Sequence, residues 1–405
     1  MDDILSQGGD REPSPWPRRL AAIAVIIGLV VAGAVYLSLP RHRQPPVAAL
    51  PAPATASPVP SPPPGLALPA PPPGPDGIAG HTLAWDPGLR LPVAGTQPAW
   101  FSPASGRSEA IGGLPDDRSG YQFTRAVGGW AVQASSAAPL GCGTCAGPPA
   151  PVWFLADGAR SVTRVGTASL VAPAATAGAV WLTSYTAGAR LSTTAGIAWE
   201  ASATGAPLRS PVRLPPGYMI DQGTDRGLLL TPVSLRPGPV AYKLWNPAAP
   251  RDSRAFNVVI AASPAEIAWT SLCAPTCRVQ VLDLATGRQT VVALPAGSLA
   301  DSGEFSPDGG FLALLVGSGD SGDDGEQSTH LDVESVKSGR LTSVPGTYVS
   351  SEALIGFGWP AGGDSLVAEF SFTTRFQLAS WRPGASWPAV TAIRAGADQA
   401  SLILG

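Results

Sequence analysis

Over most of this chain, short apolar, β-branched and aromatic runs of five to eight residues alternate with clusters of Gly, Pro, Asp and Ser. Beyond residue 77 no segment sustains the 3.6-residue apolar period of an amphipathic helix, so this region reads as all-β. Val279–Pro295, VQVLDLATGRQTVVALP, shows the unit: an apolar strand, a tight turn ending in Gly287-Arg288, a second apolar strand, then Leu-Pro. The same outline returns with its turn residue at Gly106, Gly158, Gly205, Pro250, Gly287, Gly339 and Gly384. The steps between these positions are 52, 47, 45, 37, 52 and 45 residues, in the range of four-stranded propeller blades. Seven hairpins predict a seven-bladed β-propeller over residues 78–405. The short step at Pro250 and a spare WDPG turn at Trp85–Gly88 leave six or eight blades open.

Ahead of six of these hairpins lies a predominantly apolar run, at 129–134, 179–184, 227–233, 266–272, 310–316 and 365–370. Strands apolar on both faces are buried on both faces, so these runs are expected to be the inner strands around the axis. The hairpins then supply the outer strands. Several close on a small signature: Leu114-Pro115, Leu214-Pro215, Leu294-Pro295 and Val344-Pro345.

The N-terminal part follows a different pattern. Residues 1–19 are a short polar stub. Leu20–Leu39 then runs twenty residues without a charge, the length a helix needs to cross the hydrocarbon core. A cleaved signal peptide with a small-residue site at Ala32-Gly33-Ala34 is the competing reading, against which the run exceeds the ~7–15 residues of a typical h-region. No cysteine follows it to carry a lipid. Pro40–Pro75 holds fifteen prolines in thirty-six residues, which fixes φ, removes donors and favours polyproline II. Residues 40–77 therefore read as a stalk, with a set of PxxP ligands as the alternative. Arginines flank the apolar run almost evenly, three before and two after. Orientation therefore rests on the stalk and the cysteines: N-terminus inside, body outside.

Composition narrows the function classes. Net charge is −3, with 24 Arg, only Lys243 and Lys337 as lysines, and 14% charged residues. No basic footprint points to nucleic acid. Three histidines, His42, His81 and His330, leave little for metal or acid–base chemistry near neutral pH. No cofactor is expected.

At Phe305–Val316, FSPDGGFLALLV, preceded by VLDLATGR, the chain resembles the TolB-like and WD-repeat-like propeller group. Blades of that group read strand, S-P-D-G turn, strand, then D-x-x-T-G-[KR]. Trp359-Pro-Ala-Gly-Gly363 is a copy lacking the aspartate, and the TrpAsp and GlyHis pairs of true WD repeats are absent. The resemblance covers roughly 78–405. It implies a propeller that recognises other macromolecules more often than it catalyses.

The four cysteines form two close pairs, Cys142 with Cys145 in GCGTCAG and Cys273 with Cys277 in LCAPTCR. Each falls between an apolar run and its hairpin, in blades two and five. Those blades stand apart on a ring, so a shared Cys₄ zinc site is disfavoured, and no βαβ context supports a thioredoxin-like site. Two local disulfides in an oxidising compartment are expected. The acidic stretch with Asp320, Asp323, Asp324 and Glu326 fails the EF-hand spacing, because Gly322 stands at its third position. Trp130, Trp181 and Trp269 are expected to fill space between blades. There is no G-x-S-x-G, H-E-x-x-H, Walker A or Rossmann pattern. Paired carboxylates of glycosidase type cannot be read from sequence, because their spacing is spatial.

The expectation is therefore a non-catalytic, membrane-tethered, extracytoplasmic propeller that binds an envelope protein or polymer. An extracellular propeller enzyme acting on glycans is the alternative. Carboxylates converging at the mouth of the central channel would favour the enzyme; an apolar or neutral mouth would favour binding.

Overall fold

The computed structural model describes residues 85–393, except 95–96, 116–119, 136–144, 234–240, 271–277, 319–327, 348, 351–353, 361, 363, 373–374 and 387. The stub, the apolar run and the stalk lie outside the described residues. So do His81, Cys142, Cys273, Cys277 and the acidic stretch at 320–326. Among the described residues, no helix is long and apolar enough to cross a membrane.

Seven antiparallel sheets follow one another in chain order. Those from the second to the seventh each run through four strands in sequence order, and the first shows three described strands, Leu91–Val93, Ala99–Ser102 and Arg107–Ala110. This is a seven-bladed propeller. In every blade the last two strands form the hairpin expected from sequence, and the turn glycines at 106, 158, 205, 287, 339 and 384 all have positive φ, a conformation that L side chains adopt only with strain. The WDPG turn belongs to the first blade, where Leu89 N–H donates to Asp86 O, and it adds no eighth.

First strands of neighbouring blades contact each other in three of the blade pairs, so the first strand is the innermost. This corrects the sequence expectation: the six apolar runs are second strands, not inner ones. A second strand is bonded along both edges and packed on both faces, so its side chains reach near-complete burial, as in Gly129–Ala134 and Glu266–Thr270. The first strand leaves one edge on the channel, and in Tyr218–Thr224 and Ser298–Phe305 it carries polar residues there.

The packing closes a ring. Seven apolar clusters each join adjacent blades, from the first and second (Trp100, Trp130, Val132, Leu155) round to the sixth and seventh (Leu331, Val333, Trp359, Phe370). The closing cluster joins Leu89 and Leu91 of blade 1 to Val367 and Leu378 of blade 7. The Leu-Pro signature has a role here. Leu214, Leu294 and Val344, each buried, drop from the end of the fourth strand into the cluster shared with the next blade. Trp130, Trp181 and Trp269 are 4%, 3% and 7% exposed, which makes them packing residues and removes them as a ligand platform.

Leu378→Ala, which empties part of the closing cluster, should lower stability by about 2–5 kcal/mol. Leu208→Ala, at a side chain exposed in the structure, should change it by less than about 0.5 kcal/mol. Guanidinium unfolding of the full chain followed by tryptophan fluorescence reads both; equal midpoints would mean the ring is not closed by this seam.

Candidate functional site

The turns between first and second strands, and the hairpin turns, lie at one end of the ring, because alternate strands run antiparallel. A cavity of about 1180 Å³ opens there, walled by the inner-strand ends and turns of blades 2 through 7. Its lining contains six carboxyl side chains, Asp221, Asp225, Glu266, Asp283, Glu304 and Asp308, and one guanidinium, Arg125.

Local chain geometry presents these groups. The inner strands of blades 4 to 7 each carry a β-bulge, and the skipped residue is Asp221 in blade 4 and Asp301 in blade 6. A bulge re-aims its side chain, and both aspartates are exposed. Partial loss of solvent inside the ring raises the pKa of each.

Asp283 and Asp308 are the acids of the two family motifs, D-x-x-T-G and S-P-D-G. Asp283 accepts from the N–H groups of Ala285 (2.8 Å) and Thr286 (3.1 Å). Hydrogen bonding, led by the Thr286 backbone, holds its pKa below the usual range. Asp308 accepts from Ser306 Oγ (2.6 Å) and Gly310 N–H (3.0 Å); these bonds, Ser306 first, lower its pKa too. Both acids are turn caps that also keep negative charge at the mouth.

The glutamates behave oppositely. Burial pushes Glu266 up to about 7, helped by the charges of Asp283 and Asp308. Glu304, deep in the mouth, accepts from Trp359 N–H at 3.4 Å, while Trp359 Nε1 donates to its carbonyl at 3.1 Å. Burial pushes its carboxyl up to about 8 despite that bond and the opposing field of Arg125. Arg125 itself is a bidentate partner of Asp157, at 2.6 and 3.0 Å, and lies 5.0 Å over the Trp130 ring. It is therefore already paired and offers the mouth little free positive charge.

Among the described residues no group of three or more His, Cys, Asp or Glu is arranged to hold a metal ion. Cys145 lies in the loop between the second and third strands of blade 2 and is disulfide-bonded; its partner lies outside the described residues. His330, which sequence placed in no motif, is buried with Nε2 3.4 Å from Asp332 Oδ1. Sequence reading missed the acidic mouth. The only local signals were the two motif aspartates, read there as turn chemistry.

No family model and no curated protein matches the chain. Several solved structures do. TolB from Acinetobacter baumannii is 10% identical over 78% of this chain, with a TM-score of 0.40; this chain spans 65% of that one, just under two thirds. The β-propeller domain of the trilobed protease from Pyrococcus furiosus is 8% identical over 75% of this chain and 90% of its own, with a TM-score of 0.47. Lignostilbene dioxygenase from Pseudomonas brassicacearum is 12% identical over 81% of this chain and 94% of its own, with a TM-score of 0.46. The likeness is one of fold. TolB structures are among those the chain resembles, and what is shared is the ring of blades.

Glu304 has a folded pKa raised above its unfolded value, so its neutral form is the one the fold favours. Stability it permits at low pH is lost as pH rises from about 4.5 through about 8. Glu304→Gln, which keeps an uncharged acceptor for Trp359 N–H, should flatten the fall in thermal midpoint between pH 5 and pH 9. An unchanged slope would place the buried charge elsewhere.

Proposed function

We propose that this chain is a membrane-tethered, extracytoplasmic binding propeller whose seat is the acidic channel mouth, and that its partner is a cationic segment of an envelope protein. The observation that carries this reading is the imbalance at the mouth: four aspartates, with two glutamates that burial pushes toward neutrality, against one arginine already paired with Asp157. A concave site lined by one sign of charge focuses its field on opposite charge and speeds encounter with it. The tether rests on Leu20–Leu39 and the proline-rich stalk. The engaged state of Cys145 supports an oxidising compartment.

A second reading has its own observation. Carboxyls of split proton affinity converge at the mouth, with Glu266 and Glu304 raised and Asp283 and Asp308 lowered. That pattern suits an acid and a base or nucleophile acting on a glycosidic bond. Against it, Oδ1 of each lowered aspartate already accepts two turn N–H or O–H donors, which explains their acidity without catalysis. The mouth is the carboxylate-lined one expected of the enzyme rather than the apolar or neutral one expected of a binding site. On the binding reading its acidity selects the charge of the partner.

Two measurements test the proposal. The full chain in detergent should bind an arginine-rich octapeptide in a salt-sensitive manner and ignore a glutamate-rich one, and Asp221→Asn with Asp225→Asn should weaken binding by about tenfold. Indifference to peptide charge removes the proposal; turnover of an oligosaccharide that Glu266→Gln abolishes replaces it with the enzyme. Separately, a membrane-impermeant thiol reagent on intact cells should label Cys142, Cys145, Cys273 and Cys277 only after reduction, and labelling without reduction would remove the outside placement.

A further inference from the structure

Blades 5 and 6 meet across a largely apolar seam that holds two glutamates, with Asp332 and His330 following the second of them on the same face of blade 6. Glu266 opens the second strand of blade 5 and shares its face with Ala268, which packs against blade 6. Glu334, on the third strand of blade 6, stands opposite Leu312 in register and so faces blade 5. Around them Ala268, Val281, Leu312 and Leu314 are at most 2% exposed. Glu266 is 8% exposed and Glu334 fully buried. Glu266 Oε2 and both carboxyl oxygens of Glu334 have no hydrogen-bond partner.

Such a pair is tolerable only while neutral. An ionised carboxylate in an apolar seam needs a cation or several donors, and the surrounding groups supply neither. From the third strand of blade 5 comes Asp283; from the turn of blade 6 comes Asp308, both carboxylates held ionised by their own turns. Arg288 acts on Asp283. Arg226 of blade 4 gives its donors to the carbonyls of Leu284 and Ala285. Farther along the third strand of blade 6, His330 pairs with Asp332. Glu304 lies on the opposite face of blade 6, with Ala313 and toward Trp359, and Asp225 sits on the blade 4 turn, its N–H bonded to Pro264 O.

The blade 6 turn is the lid of this pair. Gly309 lies so close over Glu266 that a Cβ there would stand 3.1 Å from Glu266 Oε2. The turn is held by its own bonds, Gly309 N–H to Ser306 O and Phe311 N–H to Ser306 Oγ, and by one from outside, Val336 N–H to Gly310 O, while Pro307 and Asp308 are exposed.

We propose that the seam is a proton-operated latch: with Glu266 and Glu334 neutral, the Ser306–Gly310 turn stays seated over Glu266, and ionisation of either glutamate releases the turn and widens the mouth beside it. An ionised Glu266 would face Asp283 and, on the turn itself, Asp308 at close range, and repulsion from Asp308 would push the turn off it. Burial pushes both glutamates to about 7, so the latch works near neutrality. Glu266 also raises Glu334, so the pair gives up its protons in two steps. The latch does not depend on what the mouth binds.

Hydrogen exchange read by mass spectrometry on the full chain in detergent tests it, with rates corrected for the intrinsic pH dependence. Between pH 5.5 and pH 8.5 the peptide holding Gly309, Gly310 and Phe311 should lose about tenfold in protection, while the turn at Gly158 keeps its own. Glu266→Gln should hold the blade 6 turn protected at both pH values. Asp283→Asn should shift the release to lower pH, by relieving Glu266 of a charge that raises its pKa. Equal loss in wild type and Glu266→Gln, or equal loss at both turns, overturns the latch; if Glu266→Gln does not fold, an unshifted midpoint in Asp283→Asn overturns it alone.

Discussion

The fold depends on side chains of one blade packing against the face of the next. Each second strand is fully bonded within its sheet and so contributes nothing further through its backbone; its stability contribution comes from the two faces it buries. A sheet of four short strands cannot cover its own faces, and only a neighbour on each side can. The consequence is cooperative closure. Leaving any seam open exposes two apolar faces at once, and the seam of Leu89, Leu91, Val367 and Leu378 does for the chain ends what chain connectivity does for the others.

This constraint explains what could be read from sequence and what could not. The hairpins were legible because a tight turn between the third and fourth strands needs positive φ, and glycine marks it at 106, 158, 205, 287, 339 and 384. Pro250 carries the same hairpin without glycine, and the spacing alone placed it. The Leu-Pro endings were legible as pattern, while their role in plugging the next seam required three dimensions. The order of strands within a blade was misread because hydrophobicity reports burial, and burial is deepest in the second strand rather than nearest the axis.

The mouth was illegible for a different reason. Its acids come from residues 221 to 308, and its walls from 123 to 359, so no window of sequence contains it. Asp221 and Asp301 look like ordinary strand aspartates until the register shows that both occupy bulges of inner strands. Asp283 and Asp308 carry a second function through a first one. The family turns need an acceptor at those positions for their own N–H groups, and a ring that points both turns at the channel turns that local requirement into a shared field.

The two kinds of acid at this end of the ring have opposite relations to the fold. Asp283 and Asp308 are ionised because the structure supplies donors, and each turn is tighter for holding the charge. Glu266, Glu304 and Glu334 are pushed toward neutrality because burial supplies too few donors, and the structure holds them at the expense of stability once the pH exceeds their raised pKa. A packed seam could fill the space of Glu266 and Glu334 with leucine and be more stable for it. Their presence is therefore not accounted for by packing. Glu266 lies where a turn belonging to the mouth rests directly on its carboxyl, which ties the protonation of the core to the shape of the site.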